Sequence, residues 1–268
     1  MDVLDAMKKE MLRRRLSPRT IETYLFYVRK FLAFCKKEPK HFSRADCLAF
    51  LDRYAEKTGN TMNVTLNSVR FLMEEILRKR MKLGICYAKT PKKMPRFLSR
   101  EEVDRLLNAI NNPKYKLLVS LMYGAGLRVS EVLNLKKEDL HLKQGIGWVR
   151  QGKGNKDRPF IIPSCLLIDL SQCSKGLLFK GKNGKLSIRS VQEIVKHAAR
   201  SSCLKSVHPH TLRHSFATHL VQNGESIGTV QGLLGHNDPR TTFMYVHAAG
   251  RLLATRSPLD KPQAESAM

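Results

Sequence analysis

Apolar residues recur at helical spacing through the first third of the chain. Ser17-Pro18 is typical of a helix start, because serine caps free N–H groups and proline is tolerated in the first turn. The stripe that follows lies on one helix face and comprises Ile21, Tyr24, Leu25, Val28, Phe31 and Leu32. The same reasoning predicts four helices, at about residues 7–16, 18–32, 43–54 and 61–81. Residues 1–82 are therefore predicted to form a helical domain.

A polar segment follows and separates two differently patterned regions. Residues 83–97 include Pro91 and Pro95 together with Lys92, Lys93 and Arg96, and they hold few apolar residues from position 89 onward. Proline restricts the preceding residue to extended backbone, so this segment is predicted to be an exposed basic linker.

Residues 98–268 change pattern several times and are predicted to form a second, mixed α and β domain. Ser99 and Glu102 make a capping-box pattern for a helix to about residue 110, and Pro113 begins another. The glycines of 124–126 end that helix, and Arg128 begins the next. Residues 146–163 have strand composition around a glycine-rich basic tip, which predicts a hairpin.

Further elements of the second domain are predicted less fully. A short strand near 177–179 is expected to join the hairpin, and a helix covers about 187–202. Pro209 and Asp238-Pro239 are typical of two further helix starts. The residues after about 258 are polar and expected to be loose. The predicted fold class is mainly α with a small β-sheet, in two domains joined by a linker.

The net charge of the chain indicates a class of function. The chain has 48 Lys and Arg against 23 Asp and Glu, a net charge of +25. Residues 1–95 hold 22 basic and 10 acidic residues, so both halves are strongly basic. Two basic domains on a basic linker suit a clamp around a polyanion, which favours double-stranded DNA as partner over a merely solvated surface.

Several classes of protein are disfavoured by the same composition. No run of about 18 apolar residues is present, so no membrane partner is expected, and residues 1–5 are unlike a signal peptide. The six cysteines are scattered without a Cys-x-x-Cys pair and are interpreted as reduced thiols, which favours a cytoplasmic protein. They are Cys35, Cys47, Cys86, Cys165, Cys173 and Cys203.

Cationic and proton-transferring side chains crowd residues 208–245 and predict phosphodiester chemistry. Tyr245 is the candidate nucleophile, and the guanidinium forks of Arg128 and Arg213 suit the phosphate oxygens. His210 and His236 are candidates to donate hydrogen bonds or to move the tyrosine proton. Lys153, at the hairpin tip, is a candidate acid for the leaving oxygen. The carboxylate cluster of two-metal hydrolysis is not evident, so no metal and no other cofactor is expected.

Each of these residues also has a plainer interpretation. His210 and His214 have a zinc-binding spacing, but the glutamate of a metalloprotease motif is absent and Arg213 would place a cation beside the metal. Tyr245 taken alone is more typical of a core aromatic, and Arg128 could simply pair with Glu131. His208, His214 and His219 are expected to be structural or on a helix surface rather than catalytic.

Five motifs in order resemble the tyrosine recombinase (phage integrase) family, most closely its Xer-type members. They are GLRVSE at 126–131, GKGNK at 152–156, HTLRH at 210–214, LGH at 234–236, and Tyr245. The resemblance implies a SAM-like core-binding domain at residues 1–82 and a catalytic domain at 98–268. It implies a site-specific recombinase that forms a 3′-phosphotyrosine link and a Holliday junction without ATP or metal.

The resemblance also implies a role for individual residues. The activating residues would be Arg128, Lys153, His210, Arg213 and His236, with Tyr245 as nucleophile. Glu131 would support the first arginine, and the family pattern favours Lys153 over its rival Lys156. The candidate DNA contacts are Arg19, Arg70, Lys92, Lys93 and Lys156.

Assembly and biological role are expected from the resemblance in outline. It implies a homotetramer on synapsed DNA, or a tetramer shared with a paralogous recombinase, located at the nucleoid. The only segment suited to oligomerisation, at 251–260, is short. Chromosome dimer resolution and integration or excision of a mobile element both remain open. The alternatives are a type IB topoisomerase-like relaxing enzyme and a catalytically inactive architectural protein.

Overall fold

The computed structural model describes residues 2–79, 84–89, 96–150, 157–181, 184–235 and 257–259. The chain divides into two compact units, Met1–Lys93 and Met94–Met268. Within the described ranges, every helix is either too short or too polar to cross a lipid bilayer.

The first unit is helical, as the apolar spacing predicts. Its elements are α1 (Val3–Arg13), α2 (Pro18–Cys35), a 3₁₀ turn (Pro39–His41), α3 (Arg44–Asp52), α4 (Gly59–Arg70) and a π-helical segment (Phe71–Ile76). Side-chain caps fix two of the starts: Thr20 N–H donates to Ser17 Oγ at 3.1 Å, and Ser43 forms a capping box with Asp46.

The core of the first unit is formed by the apolar faces of these helices. Met7 and Met11 of α1 are fully buried, and Phe31 of α2 meets Phe50 of α3 edge to face at 5.3 Å. Edge-to-face packing of this kind adds about 0.5–1.5 kcal/mol beyond area burial. The apolar stripe on α2 is thus core.

The fourth helix differs from its prediction at both ends. It begins at Gly59, where Thr58 serves as cap, and helical structure ends at Ile76 instead of continuing to residue 81. Arg78 adopts a left-handed φ of 52°. The Lys79 ammonium donates to the carbonyls of Lys40 and Phe42, at 2.6 and 2.7 Å. These long-range bonds end the helix, although its residues alone favour continuation.

The second unit combines helices with two small sheets. Its helices are α5 (Arg100–Asn108), α6 (Pro113–Gly124), α7 (Val129–Asn134), α8 (Leu167–Ser171), α9 (Ile188–Ser201), α10 (Pro209–Gln222) and α11 (Ile227–Leu234). Its strands are β1 (Leu140–His141), β2 (Ile146–Val149), β3 (Arg158–Ile161), β4 (Lys180–Gly181) and β5 (Gly184–Lys185). Short 3₁₀ turns cover Lys137–Asp139, Leu142–Gln144 and Ser164–Leu166.

The predicted pairing of β2 with β3 is confirmed, but the 177–179 segment does not join their sheet. β1, β2 and β3 form one antiparallel sheet in that order, with Gly147 opposite Phe160. A Cβ on Gly147 would lie 2.2 Å from the Phe160 ring, so this position requires glycine. The 177–179 segment pairs elsewhere, because Leu177 bridges Lys136 and the Leu178 N–H donates to the Leu135 carbonyl. β1, the paired strands β4 and β5, α8 and α11 were not predicted.

α10 lies at the centre of the second unit and carries one of the candidate arginines. Leu212, Phe216 and Leu220 on this helix are at most 1% exposed. Ser215 on the same helix accepts the Leu98 N–H at 2.8 Å, which ties the start of the unit to α10. The α10 backbone is therefore held rigidly by packing and by one buried hydrogen bond.

Candidate active site

Arg128 lies at the N-terminal cap of α7 and reaches partly to the surface. Its backbone N–H donates to Glu131 Oε2 at 2.9 Å, and its Nη1 donates to Glu131 Oε1 at 2.6 Å. The Arg128 side chain is 22% exposed. The salt bridge that was the plainer interpretation of Arg128 therefore exists, and it leaves part of the side chain accessible.

Glu131 is the organising residue of the site, since its carboxylate faces three arginines. Its side chain is only 4% exposed. Besides Arg128, it accepts from Arg158 Nη2 at 2.7 Å, and Arg213 Nη1 lies 3.9 Å from Oε2. Burial would raise the pKa of Glu131, but Arg158 and Arg128 together outweigh burial and lower it. The residue is therefore a carboxylate at neutral pH.

Arg213 projects from α10 into the same cluster and is almost fully buried. Its Nη1 donates to the Gly126 carbonyl at 2.6 Å, and its Nη2 donates to the Leu234 carbonyl. Gly126 has a left-handed φ of 60°, and a Cβ there would lie 2.5 Å from Phe216. The GLR and LGH motifs therefore each supply a backbone acceptor to the second arginine.

Arg158 is a member of the cluster that the sequence analysis missed. It is the first residue of β3, is 5% exposed, and donates to Glu131 Oε2 and, from Nη1, to the Leu233 carbonyl at 2.5 Å. It lies outside the quoted motifs, and a charged residue at a strand start gives no sign of burial. No signal in the sequence singled it out, because the burial of Glu131, which calls for paired cations, becomes visible only in the fold.

The cluster holds more positive than negative charge in a site with little solvent. Three guanidinium groups face one carboxylate, which leaves a net charge of +2 among these four residues. Burial, then the neighbouring Arg128 and Arg158, lowers the pKa of Arg213 to about 9, and Glu131 offsets part of this. Arg213 is still a cation at pH 7. An arriving oxyanion would relieve this repulsion, so the site is suited to phosphate.

The histidines of the HTLRH motif lie on the exposed side of α10. His210 is in the first turn and His214 one turn later, and both are exposed. Neighbouring atoms still shield the His214 ring in part from water, and this partial desolvation, then His210 and Arg213, lowers its pKa. His214 is therefore neutral at pH 7. Among the described residues, no group of three or more His, Cys, Asp or Glu side chains is arranged to hold a metal ion.

His219 is structural, as the sequence analysis expected. Its Nδ1 and the Tyr123 hydroxyl are 2.8 Å apart in the core, and the Phe97 ring meets it edge-on. Burial is the main cause that lowers the pKa of His219. This pair lies on the side of α10 that packs against α6, and it makes no contact with Glu131.

The other predicted site residues divide into two groups. Arg19, at the start of α2, is exposed, while Arg70 lies near Glu74 and over the Tyr87 ring at 5.8 Å. The following predicted residues lie outside the described residues: Lys92, Lys93, Lys153, Lys156, His236 and Tyr245. The structure therefore brings together Arg128, Glu131 and Arg213, with His210 one turn before Arg213.

A buried carboxylate that orders three guanidinium groups on a helical scaffold is suited to binding an oxyanion. Two family models match this chain and identify the class. Residues 96–251 match the phage integrase family, and residues 3–83 match the phage integrase N-terminal SAM-like domain.

Individual relatives agree with the family models over most of the chain. The tyrosine recombinase XerA of Thermococcus kodakarensis is 38% identical over 246 residues, which covers 85% of this chain and 84% of the relative. XerD of Oceanobacillus iheyensis is 33% identical over 267 residues, or 87% and 89% of the two chains. A crystal structure of the XerH site-specific recombinase bound to difH substrate has the same fold, with TM-score 0.69, 23% identity and coverage of 94% and 83%.

The chain belongs to the phage integrase family of tyrosine recombinases. It is a site-specific recombinase of the Xer type, with an N-terminal SAM-like unit and a C-terminal catalytic unit. The topoisomerase-like and architectural alternatives are not favoured, since the matched relatives are named as recombinases.

Proposed function

We propose that this recombinase cuts and rejoins double-stranded DNA through a covalent link between Tyr245 and a 3′ phosphate. In the cutting step the Tyr245 oxygen bonds to phosphorus while the bond from phosphorus to the 5′ oxygen breaks. The tyrosine loses its proton and the leaving oxygen gains one. Because the link conserves the phosphodiester energy, rejoining to a partner strand needs no ATP.

The observation that supports this proposal best is the network of Arg128, Glu131 and Arg213. Both arginines are held by Glu131 or by backbone carbonyls before any substrate arrives. Preorganised cations in a site shielded from water stabilise the charge that develops on a phosphorane-like transition state far better than mobile ones. The excess positive charge of the cluster supplies the electrostatic attraction for the scissile phosphate.

The remaining chemistry is assigned to residues around this network. Lys153 would protonate the leaving 5′ oxygen, and Lys156 would contact a phosphate beside it. His210, exposed one turn before Arg213, and His236 would hydrogen-bond the phosphate or accept the tyrosine proton. Glu131 would act through Arg128, as the short ion pair between them supports.

DNA is the proposed partner, and assembly on DNA completes the proposal. The XerH relative was crystallised with its difH substrate. The net charge of +25 suits two basic units that surround a duplex, with Arg19, Arg70, Lys92 and Lys93 as phosphate contacts. Four protomers, or two pairs with a paralogous recombinase, would exchange strands through a Holliday junction. Such a protein would act at the nucleoid in the cytoplasm, in chromosome dimer resolution or in integration and excision.

Covalent capture of DNA tests the proposed chemistry and finds the target site. The protein is incubated with fragmented genomic DNA of its source organism, denatured in SDS, and the DNA that remains attached is sequenced. A recurrent site is then rebuilt as a duplex nicked next to the cut position, so that the short product diffuses away and the adduct accumulates. We expect an SDS-resistant adduct on this duplex.

Two variants check the assignments within this assay. Tyr245→Phe should abolish the adduct while DNA binding survives; an adduct formed by this variant would show that the nucleophile is misassigned. Arg128→Lys should lose adduct formation by about 100-fold or more, since one ammonium cannot replace a fork held against Glu131. Fast relaxation of supercoiled plasmid without any sequence preference would instead favour the topoisomerase-like alternative.

A further inference from the structure

Arg158 connects three parts of the catalytic unit that are far apart in sequence. It begins β3 directly after the 150–157 segment that carries Lys153, and it pairs with Val149 at the end of β2 where that segment starts. From there, Nη2 reaches Glu131 on α7 at 2.7 Å, and Nη1 reaches the Leu233 carbonyl at the end of α11 at 2.5 Å.

The stem of Arg158 also packs against the residue that precedes His236. A Cβ on Gly235 would lie 2.6 Å from Arg158 Cδ and 2.9 Å from Nε, so only glycine fits there. Gly235 has a left-handed φ of 63° and ends α11. The glycine of the LGH motif therefore has two roles: it ends the helix, and it leaves room for the Arg158 side chain.

Arg158 and Arg213 form a matched pair around the end of α11. Arg213 joins the Leu234 carbonyl to the Gly126 carbonyl, while Arg158 joins the Leu233 carbonyl to Glu131. The carbonyl end of a helix carries partial negative charge, which favours two cations at this place. Without Arg158, the Glu131 carboxylate would face one fewer cation, and Arg213, 3.9 Å away, would be its nearest replacement.

We propose that Arg158 is a positioning residue for recombination, which holds Glu131 away from Arg213 and fixes the end of α11 from which His236 follows. It does not contact the phosphate itself in this scheme. Its effect on DNA cutting passes through Glu131, Arg128 and Arg213, so the inference rests on the function proposed above. Loss of Arg158 would draw Glu131 toward Arg213 and divert that guanidinium from the phosphate.

The proposal predicts a pH-dependent defect that simple loss of packing would not produce. Among the described residues, the charged side chains that face Glu131 are Arg128, Arg158 and Arg213, from the α7 start, β3 and α10. Removing Arg158 removes the strongest cause that lowers the pKa of Glu131, so the pKa rises. The carboxylate that aligns Arg128 then becomes partly protonated as the pH falls.

The test measures single-turnover adduct formation on the captured, nicked site at saturating DNA between pH 5.5 and 8. Arg158→Gln should cut about 10- to 100-fold more slowly than the wild type at pH 8, since a displacement of about 1 Å in the site is enough for such a loss. The ratio of the wild-type rate to the Arg158→Gln rate should increase as the pH falls toward 5.5. Arg158→Lys keeps a cation beside Glu131 and should restore the pH profile of the wild type, although not its full rate.

Arg150→Gln is the matched control on the same hairpin. Arg150 is 54% exposed and pairs with Asp157 at 2.7 Å, outside the Glu131 cluster. The change should leave the pH profile of cutting as it is in the wild type. A defect of Arg158→Gln that is equal at all pH values, or a Lys variant with the same profile as the Gln variant, would overturn the proposal.

A second readout separates this proposal from the function on which it rests. Because Arg158→Gln raises the pKa of Glu131 in the folded state, the folded variant binds a proton more readily. Its melting temperature should therefore lie closer to that of the wild type at pH 5 than at pH 8. If this gap fails to narrow, the coupling of Arg158 to Glu131 is wrong, whatever the DNA result. If it narrows but no wild-type adduct ever forms, the proposed chemistry is wrong instead.

Discussion

Replacing Glu131 by glutamine removes the charge at the centre of the site with almost no change in volume. In the wild type, the carboxylate accepts from Arg128 at 2.6 Å and from Arg158 at 2.7 Å, with a side chain 4% exposed. A glutamine amide still has one oxygen acceptor, but its NH₂ group would face a second guanidinium donor. The buried guanidinium groups of Arg158 and Arg213 and the partly exposed one of Arg128 would then lie together without a counter-charge.

The expected cost is large because removing one member of a buried ion pair typically destabilises by about 3–5 kcal/mol. Since glutamine keeps one acceptor, we expect about 3 kcal/mol for Glu131→Gln. A loss of 1 kcal/mol lowers the melting temperature of a unit of this size by about 2–4 °C, so the shift should be about 6–12 °C. Trp148, the only tryptophan, lies on β2, so its fluorescence follows unfolding of the catalytic unit alone.

Glu193→Gln is the matched control, with the same chemical change at an exposed pair. Glu193 is 62% exposed and lies 3.8 Å from Lys196. Such pairs contribute about 0–1 kcal/mol, so its melting temperature should stay close to the wild-type value. If the two variants melt within about 2 °C of each other, Glu131 does not hold the arginines together as described.

The pH dependence of the Glu131 variant has a definite sign. The folded-state pKa of Glu131 is below its ordinary value of 4.5, so its contribution to stability is complete above about pH 4.5. It is lost as the pH falls further, through the folded-state pKa. The melting-temperature gap between wild type and Glu131→Gln should therefore be constant from pH 6 to 7, well below the pKa of about 9 of Arg213, which loss of Glu131 would lower further. A gap that changes between pH 6 and 7 would contradict the assignment.

Two further predictions concern positions outside the ion cluster. Gly126→Ala should destabilise by about 1–3 kcal/mol more than Gly145→Ala, because both have positive φ but only Gly126 would also overlap Phe216; equal melting temperatures by Trp148 fluorescence would refute the steric cause. His219→Gln should make the melting temperature less sensitive to acid. Because the folded-state pKa of His219 is below 6.5, the neutral imidazole contributes fully to the stability of the fold above about pH 6.5, and this contribution is lost as the pH falls below that value. The melting temperature of the wild type should therefore drop more between pH 7.5 and 5.5 than that of the variant, and equal drops would argue against a buried neutral imidazole.

Local signals allowed much of the fold to be predicted from the sequence. Ser17, Ser43, Ser99 and Pro113 mark helix starts that the structure confirms, because a cap acts on backbone groups two or three residues away. The hairpin of β2 and β3 was predicted for a similar reason, since alternation and a glycine-rich turn are short-range properties. The end of the fourth helix was missed, because bonds from Lys79 to residues nearly forty positions earlier decide it.

The candidate site shows the same division between local and distant causes. The motif spacing and the choice of residue types pointed to Arg128, His210 and Arg213, and this much depended on the sequence alone. The burial of Glu131 depended on how α7, β3, α10 and α11 pack. The same packing brings Arg158, 27 residues later in the chain, to the Glu131 carboxylate. Helix caps and strand alternation are set by neighbours along the chain, whereas a buried charge takes its partners from whichever elements the fold brings beside it.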